Sequence, residues 1–165
     1  MALAPPITDL EQLKDHPALA RLLSWHAPAV ESVKYDREEL TIVVPGSSLR
    51  EACALLCDDP NCRFNLLSDL TCVDWYPAEP RFEVIYNLFS IPRKERVRLK
   101  VKLESSSPVV ESVTSVWPGA NYFEREVFDL FGVRFSGHPY LRRILMPEDW
   151  EGNPLRKDYP VEGYR

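Results

Sequence analysis

The stretch RVRLKVKLE, residues 96–104, alternates strictly between charged and branched apolar side chains. Val97, Leu99, Val101 and Leu103 would share one face of an extended strand, because successive side chains of a strand point to opposite faces. The pattern therefore predicts a half-buried antiparallel strand. The basic row on the other face also fits nucleic-acid binding, but the net charge of −5 favours a solvated strand face.

Further strands are predicted on the N-terminal side of this one. Residues 30–45, VESVKYDREELTIVVP, indicate two strands around a charged turn at 36–39. Residues 66–76 and 81–92 are rich in β-branched and aromatic residues, which favours two more strands. The last three predicted strands are thus close together along the chain.

Helices are predicted between and after the strands. Thr8 with Glu11, and Ser48 with Glu51, have capping-box spacing, and Pro17 should kink or split the first helix. Ser107 before Pro108 predicts another helix over residues 108–117. Residues 121–131 predict a last helix with a left-handed C-cap at Gly132, an apolar stripe and an exposed pair four residues apart; the stripe is Phe123, Val127 and Leu130, and the pair is Arg125 with Asp129.

The predicted order is helix, two strands, helix, three strands and a helical segment. We therefore expect a two-layer α+β domain with a mixed, mainly antiparallel sheet over residues 1–132. The length of 165 residues fits one such domain and an appendage, an arm over residues 133–165.

Composition narrows the class of protein. Hydrophobic residues make up 45% and charged residues 27%, as in soluble globular domains. No run of about 18 apolar residues predicts a membrane-spanning helix, and the first residues do not resemble a secretory signal. The four cysteines have no C-x-x-C pair, and we expect reduced thiols in the core in preference to an iron–sulfur site; they are Cys53, Cys57, Cys62 and Cys72.

Residues 133–165 combine frequent prolines and glycines with many aromatic and arginine side chains. The breakers prevent long helices or strands, whereas tryptophan, tyrosine and arginine dominate the energetics of protein interfaces. The arm is therefore predicted to dock on another protein. Its candidate partner-binding residues are Tyr140, Arg142, Arg143, Trp150, Arg156, Lys157, Asp158 and Tyr159.

Independent catalysis is not predicted. The chain has no G-x-G-x-x-G, P-loop or G-x-S-x-G pattern, and its three histidines lack metal-ligand spacing. Glu124 and Glu126 would point about 200° apart on a helix, so they cannot form an acid–base pair. His138 with Asp129 imitates half a triad without a nucleophile.

Residues 124–145, EREVFDLFGVRFSGHPYLRRIL, resemble the signature of the C subunit family of proton-translocating NADH:quinone oxidoreductase, respiratory complex I. Residues 146–160, MPEDWEGNPLRKDYP, resemble the continuation of this signature. The matching positions are Glu124, Arg125, Glu126, Asp129, Leu130, Phe131, His138, Arg142, Ile144 and Leu145.

The resemblance implies a structural or assembly subunit of the peripheral arm of the complex, with no catalytic, cofactor or metal site of its own. FMN and iron–sulfur clusters would lie in partner subunits, which pass electrons from NADH to quinone. The arm of this chain would bind the D subunit, with the B subunit nearby. Membrane contact would be indirect, on the cytoplasmic side of the inner membrane.

Two other functions stay open at this point. Related membrane-bound hydrogenases and dehydrogenases use homologous subunits, so the chain could belong to one of those complexes. A stand-alone small enzyme is the alternative of a different class, and it would be active without partners.

Overall fold

A computed structural model describes residues 5–162 and contains a five-stranded sheet in the order β1-β2-β5-β4-β3. Strand β5 is central: it pairs antiparallel with β4, as expected, and parallel with β2. The prediction of a mixed, mainly antiparallel sheet is confirmed. The strands are β1 (Ser32–Asp36), β2 (Glu39–Val43), β3 (Leu66–Asp74), β4 (Phe82–Ser90) and β5 (Glu95–Leu103).

Within residues 5–162 four α-helices accompany the sheet: α1 (Leu10–Leu13), α2 (Pro17–His26), α3 (Leu49–Asp58) and α4 (Ala120–Phe131). Pro17 begins α2 and separates it from α1, as its fixed φ and missing N–H predict. The predicted side-chain caps differ: Asp9 caps α1 through Glu11 N–H, and Ser48 makes no side-chain cap bond.

The core lies between the sheet and α2, α3 and α4. The four apolar residues of β5 are buried, as the alternation predicts. On the opposite face Arg98 pairs with Glu39 at 2.7 Å and Lys100 pairs with Glu83 at 2.6 Å. Carboxylates of the chain itself thus neutralise part of the basic row, which argues against a nucleic-acid face.

The helix predicted over residues 108–117 is wrong. Residues 109–111 form β6 (Val109–Glu111), which pairs in parallel with β7 (Arg134–Ser136) as a second, two-stranded sheet. Val110 and Phe135 are buried where the two strands meet. Burial of β-branched and aromatic side chains outweighs the local helix-start signal of Ser107 and Pro108.

Candidate functional site

The arm contains neither helix nor strand from residue 137 to residue 162. It runs back over the C-terminal end of α4 and reaches the sheet, where Lys157 N–H donates to Asp74 at 2.9 Å. The prolines and glycines of the arm prevent regular helix or strand hydrogen bonding, so its buried backbone N–H and C=O groups need other partners. Side chains of the body supply several of these partners.

Asp129 is the main contact between α4 and the arm. Its Oδ2 accepts hydrogen bonds from the backbone N–H groups of residues 144, 145 and 146 at 3.0, 2.8 and 2.9 Å. Arg143 Nη1 donates to Oδ1 at 2.7 Å. Burial of Asp129 would by itself raise its pKa, but these four donors lower that pKa overall. The ionised carboxylate therefore holds the turn of the arm at residues 143–146.

The arm also caps the C-terminus of α4. The last four carbonyls of a helix have no partner within it, and Gly132, at φ 75°, binds the first of them, that of Phe128, at 2.9 Å. The carbonyls of residues 129, 130 and 131 accept hydrogen bonds from Asn153 Nδ2, Leu155 N–H and Arg156 Nε at 2.9, 3.0 and 2.6 Å. The predicted left-handed cap is confirmed, and the arm completes it.

Arg125 binds the first part of the arm through its carbonyls. Its guanidinium donates to Arg142 O at 3.2 Å and to Arg143 O at 3.1 Å. The predicted exposed pair of Arg125 with Asp129 is wrong, because Asp129 faces the arm and pairs with Arg143. The side chain of Arg142 is exposed and lies over the ring of Tyr140, 4.3 Å from its centroid.

His138 fixes the beginning of the arm. Tyr140 N–H donates to His138 Nδ1 at 2.9 Å, so the proton of the neutral ring is on Nε2, which lies 3.2 Å from Asn121 O. Burial lowers the pKa of His138 and favours this neutral form. The imidazole therefore acts as a hydrogen-bonding link between α4 and the arm.

Glu124 joins α4 to the segment after β6. Its Oε1 accepts a hydrogen bond from Val113 N–H at 2.7 Å. Its fully buried Oε2 has no hydrogen-bond partner among residues 5–162 and lies 4.0 Å from His138 Nε2. Burial raises the pKa of Glu124 to about 7, although Ser112 and Val113 oppose the shift. Glu126 is exposed on the other side of the helix, so the two glutamates do not converge.

The far end of the arm is attached through Arg81, a buried residue of the turn between β3 and β4. Its guanidinium binds both carboxylate oxygens of Asp74, at 2.9 and 2.8 Å, and both of Asp158, at 2.9 and 2.6 Å. Burial opposes ionisation of Asp74, but Arg81 and the backbone donors lower its pKa to about 2. No sequence pattern identified Asp74 or Arg81 as residues that hold the arm. For Asn153 the available signal is that it precedes Pro154, because Asn-Pro is typical of turns.

The predicted partner-binding residues fall into two groups. Arg143, Arg156 and Asp158 bind the chain's own body. The others lie on the outer side of the arm or bind within it: Tyr140 is 55% exposed, Arg142, Trp150 and Lys157 are exposed, and Tyr159 donates from its hydroxyl to Glu151 O at 3.3 Å. Exposed apolar side chains accompany them on the same segment, namely Ile144, Leu145 and Leu155.

Polar groups and the partly buried Leu141 attach the arm to the body, and the other aromatic and apolar side chains named above are left outside. Within residues 5–162 no group of three His, Cys, Asp or Glu side chains is placed to hold a metal ion. The four cysteines are free thiols, of which Cys53, Cys62 and Cys72 are buried, whereas Cys57, which was also expected in the core, is only partly buried. Burial raises the pKa of Cys62 to about 11 and that of Cys72 to about 12, which suppresses the reactive thiolate.

The described part of the chain has no helix that is long and apolar enough to cross a membrane.

A C subunit of NADH-quinone oxidoreductase from Roseiflexus sp. (strain RS-1) is 52% identical over 125 residues, which cover 76% of this chain and 72% of that protein. The protein of the same name from Geotalea uraniireducens (strain Rf4) is 40% identical, and the match covers 93% of this chain and 92% of that protein.

A solved structure of a trypsin-resistant fragment of Nqo5 is also similar, with a TM-score of 0.61 and 31% identity over 75% of this chain and 99% of that one. The model of the respiratory-chain NADH dehydrogenase 30 kDa subunit family matches residues 42–165. This match includes α4, the residues that bind the arm and the arm itself. The chain belongs to the respiratory-chain NADH dehydrogenase 30 kDa subunit family.

Proposed function

We propose that this protein is the C subunit of a proton-translocating NADH:quinone oxidoreductase and that it serves in assembly. The observation that carries the proposal is the two-sided arm: its polar groups bind α4 and the sheet, and its aromatic and apolar side chains stay exposed. Exposed aromatic and apolar side chains on a fixed segment are typical of protein interfaces. The arm is therefore a preformed docking element.

The arm binds the D subunit, with the B subunit and other peripheral-arm subunits nearby. Flavin and iron–sulfur clusters lie in partner subunits, and this chain carries no catalytic site and no cofactor. Two features support this division: both oxygens of Asp129 and Oε1 of Glu124 are bound by donors of the chain itself, and three of the four cysteines are buried thiols whose pKa is raised. The protein reaches the cytoplasmic side of the inner membrane through the complex.

The test uses variants of the outer side of the arm that leave its attachment intact. Trp150→Ala and Arg142→Ala should lower the amount of assembled complex on native gels, because truncation of a buried interface aromatic or arginine costs about 2–4 kcal/mol of binding free energy. NADH:quinone activity should fall in proportion, with unchanged turnover per assembled complex. Lys14→Ala is the control, since Lys14 is exposed at the end of α1, which contacts the opposite edge strand β1.

Normal assembly with collapsed turnover per complex would show that the arm shapes the reaction site and that the assembly role is wrong. Activity of the isolated chain would instead support the stand-alone enzyme.

A second candidate is the equivalent subunit of a related membrane complex. A chain of the membrane-bound sulfane sulfur reductase, an archaeal respiratory membrane complex, has a TM-score of 0.71 and 27% identity over 87% of this chain and 84% of that one. The two candidates differ in the partner subunits that we expect in the complex. Mass spectrometry of the native complex decides between them: NADH-oxidising flavoprotein partners support complex I, and their absence from an otherwise intact complex supports the second candidate.

A further inference from the structure

The turn between β3 and β4 carries two neighbouring exposed aromatic side chains. Trp75 is 50% exposed and Tyr76 is 48% exposed. Among the aromatic residues of the described body, residues 5–136, only Tyr122 is comparably exposed. Two large aromatic rings exposed to water on adjacent residues are unfavourable for an isolated protein and are the residue types that anchor interfaces.

The turn is fixed by the body, so these rings are presented in a defined position. Asp74 Oδ1 accepts a hydrogen bond from Tyr76 N–H at 2.9 Å, and Trp75 N–H donates to Arg81 O at 2.8 Å. The Arg81 guanidinium lies 4.9 Å from the centroid of the Tyr76 ring. An anchor that is already ordered loses less entropy when it binds.

The turn is continuous with the arm. The Arg81 guanidinium that lies over Tyr76 also binds Asp158, and Lys157 N–H binds Asp74. The backbone of Lys157, whose side chain is exposed, therefore lies against Asp74, the residue that precedes the aromatic pair. The buried ion pair of Arg81 with Asp74 costs free energy to desolvate. Both side chains also bind the arm, so the ion pair aligns the turn with the end of the arm.

The chemistry of this surface defines its partner. The indole N–H of Trp75, the hydroxyl of Tyr76 and the ammonium group of Lys157 make no hydrogen bond within residues 5–162. The surface thus offers two flat apolar rings and three donors, one of them charged. It fits an apolar pocket bordered by carboxylates or carbonyls, whereas a second copy in a two-fold dimer would present the same donors and the same cation.

We propose that Trp75 and Tyr76 are a second anchor for the partner subunit that binds the arm, and that they insert into an acceptor-lined apolar pocket of that partner. This inference rests on the proposed assembly function. It extends the docking surface from the arm onto the body, to a segment that sequence analysis identified only as the end of a strand.

The test compares variants of the turn with variants of the arm in the assembled complex. Purified chains carrying Trp75→Ala or Tyr76→Ala are added to membranes from a strain that lacks this subunit, and binding is titrated. We expect each variant to bind about 10- to 100-fold more weakly than the wild type. Ile91→Ala is the matched control, because Ile91 is 56% exposed in the turn at the other end of β4. Thermal unfolding of each purified chain verifies that it is folded.

Cross-linking identifies the occupant. A benzophenone amino acid replaces Trp75 in one sample and Trp150 in another, and mass spectrometry identifies the chain attached in the intact complex. We expect the same partner subunit from both positions. Attachment of a second copy, of a different subunit or of nothing at position 75 overturns the inference, as does wild-type binding by both turn variants.

Failure of the proposed function gives a different result. In that case wild-type chain does not bind the membranes, and position 150 attaches to no subunit of the complex. Weak binding of Trp150→Ala together with normal binding of the turn variants would retain the assembly role and reject the second anchor.

Discussion

Replacing Asp129 by asparagine tests whether one buried anion holds the arm. The amide has nearly the same shape, but it retains one acceptor oxygen and places an NH2 group against donors from Arg143 and residues 144–146. Hydrogen bonds to a charged group contribute about 1.5–3 kcal/mol each. All four donors to the Asp129 carboxylate belong to the arm, so we expect the loss to fall on the attachment of the arm, which should weaken by about 2–3 kcal/mol.

Limited trypsin digestion measures this attachment. Residues 137–162 of the arm contain four cleavage sites, Arg142, Arg143, Arg156 and Lys157. When opening is fast relative to cleavage, the cleavage rate follows the population of the detached arm. The expected loss then corresponds to roughly 30- to 150-fold faster cleavage of Asp129→Asn within the arm.

Glu126→Gln is the control for this experiment, because it removes an exposed carboxylate from the same helix. Cleavage of Asp129→Asn at the wild-type rate would show that the carboxylate does not hold the arm. If sites in the body are cleaved equally fast, the substitution destabilises the whole domain, and the loss of stability is not confined to the attachment of the arm.

Three further predictions follow from the same contacts. Burial raises the pKa of Glu124 from 4.5 to about 7, so the stability that the protonated side chain contributes is fully present below pH 4.5 and is lost as the pH rises to about 7. Urea unfolding across this range should show a decrease of about 3 kcal/mol in the free energy of unfolding, and Glu124→Gln should not show it. Gly132→Ala should cost about 1–2 kcal/mol in thermal unfolding, since φ is 75° and the new Cβ would meet Asn153 and Arg156; Gly119→Ala, with open space at Cβ, should not. Thiol labelling of native protein should modify Cys57 first, because the other three cysteines are buried, and equal rates at all four would contradict the burial.

The parts of the fold that sequence predicted are those set by local periodicity. The alternation in β5 requires only that one face be buried, and the left-handed cap at Gly132 requires only glycine at the end of an apolar stripe. The helix expected after Ser107 failed because residues 109–111 pair with residues 134–136, which a local signal cannot indicate. Which distant segments pair, and in which register, depends on the apolar side chains that the two segments bury together.

The candidate site shows the same division. Glu124, Arg125 and Asp129 were identified by their resemblance to a family signature, but their partners were not, because each bond joins segments 11 to 18 residues apart. Arg81 and Asp158 are 77 residues apart, and no pattern relates them. The sequence indicated an arm with many anchors and could not show which of these side chains attach it to its own body.

That division of the arm explains why a polar signature need not be an active site. A catalytic carboxylate needs a free oxygen directed at a substrate, whereas both oxygens of Asp129 are bound by backbone and arginine donors. Polar groups are directional, so they fix the position of the arm on α4. Apolar side chains are not directional, and Leu145 at 60% and Leu155 at 52% exposure gain nothing from remaining in water. A segment whose polar side is satisfied by its own domain and whose apolar side is exposed is stable in place and incomplete on its surface, which supports the proposal that another protein chain covers it.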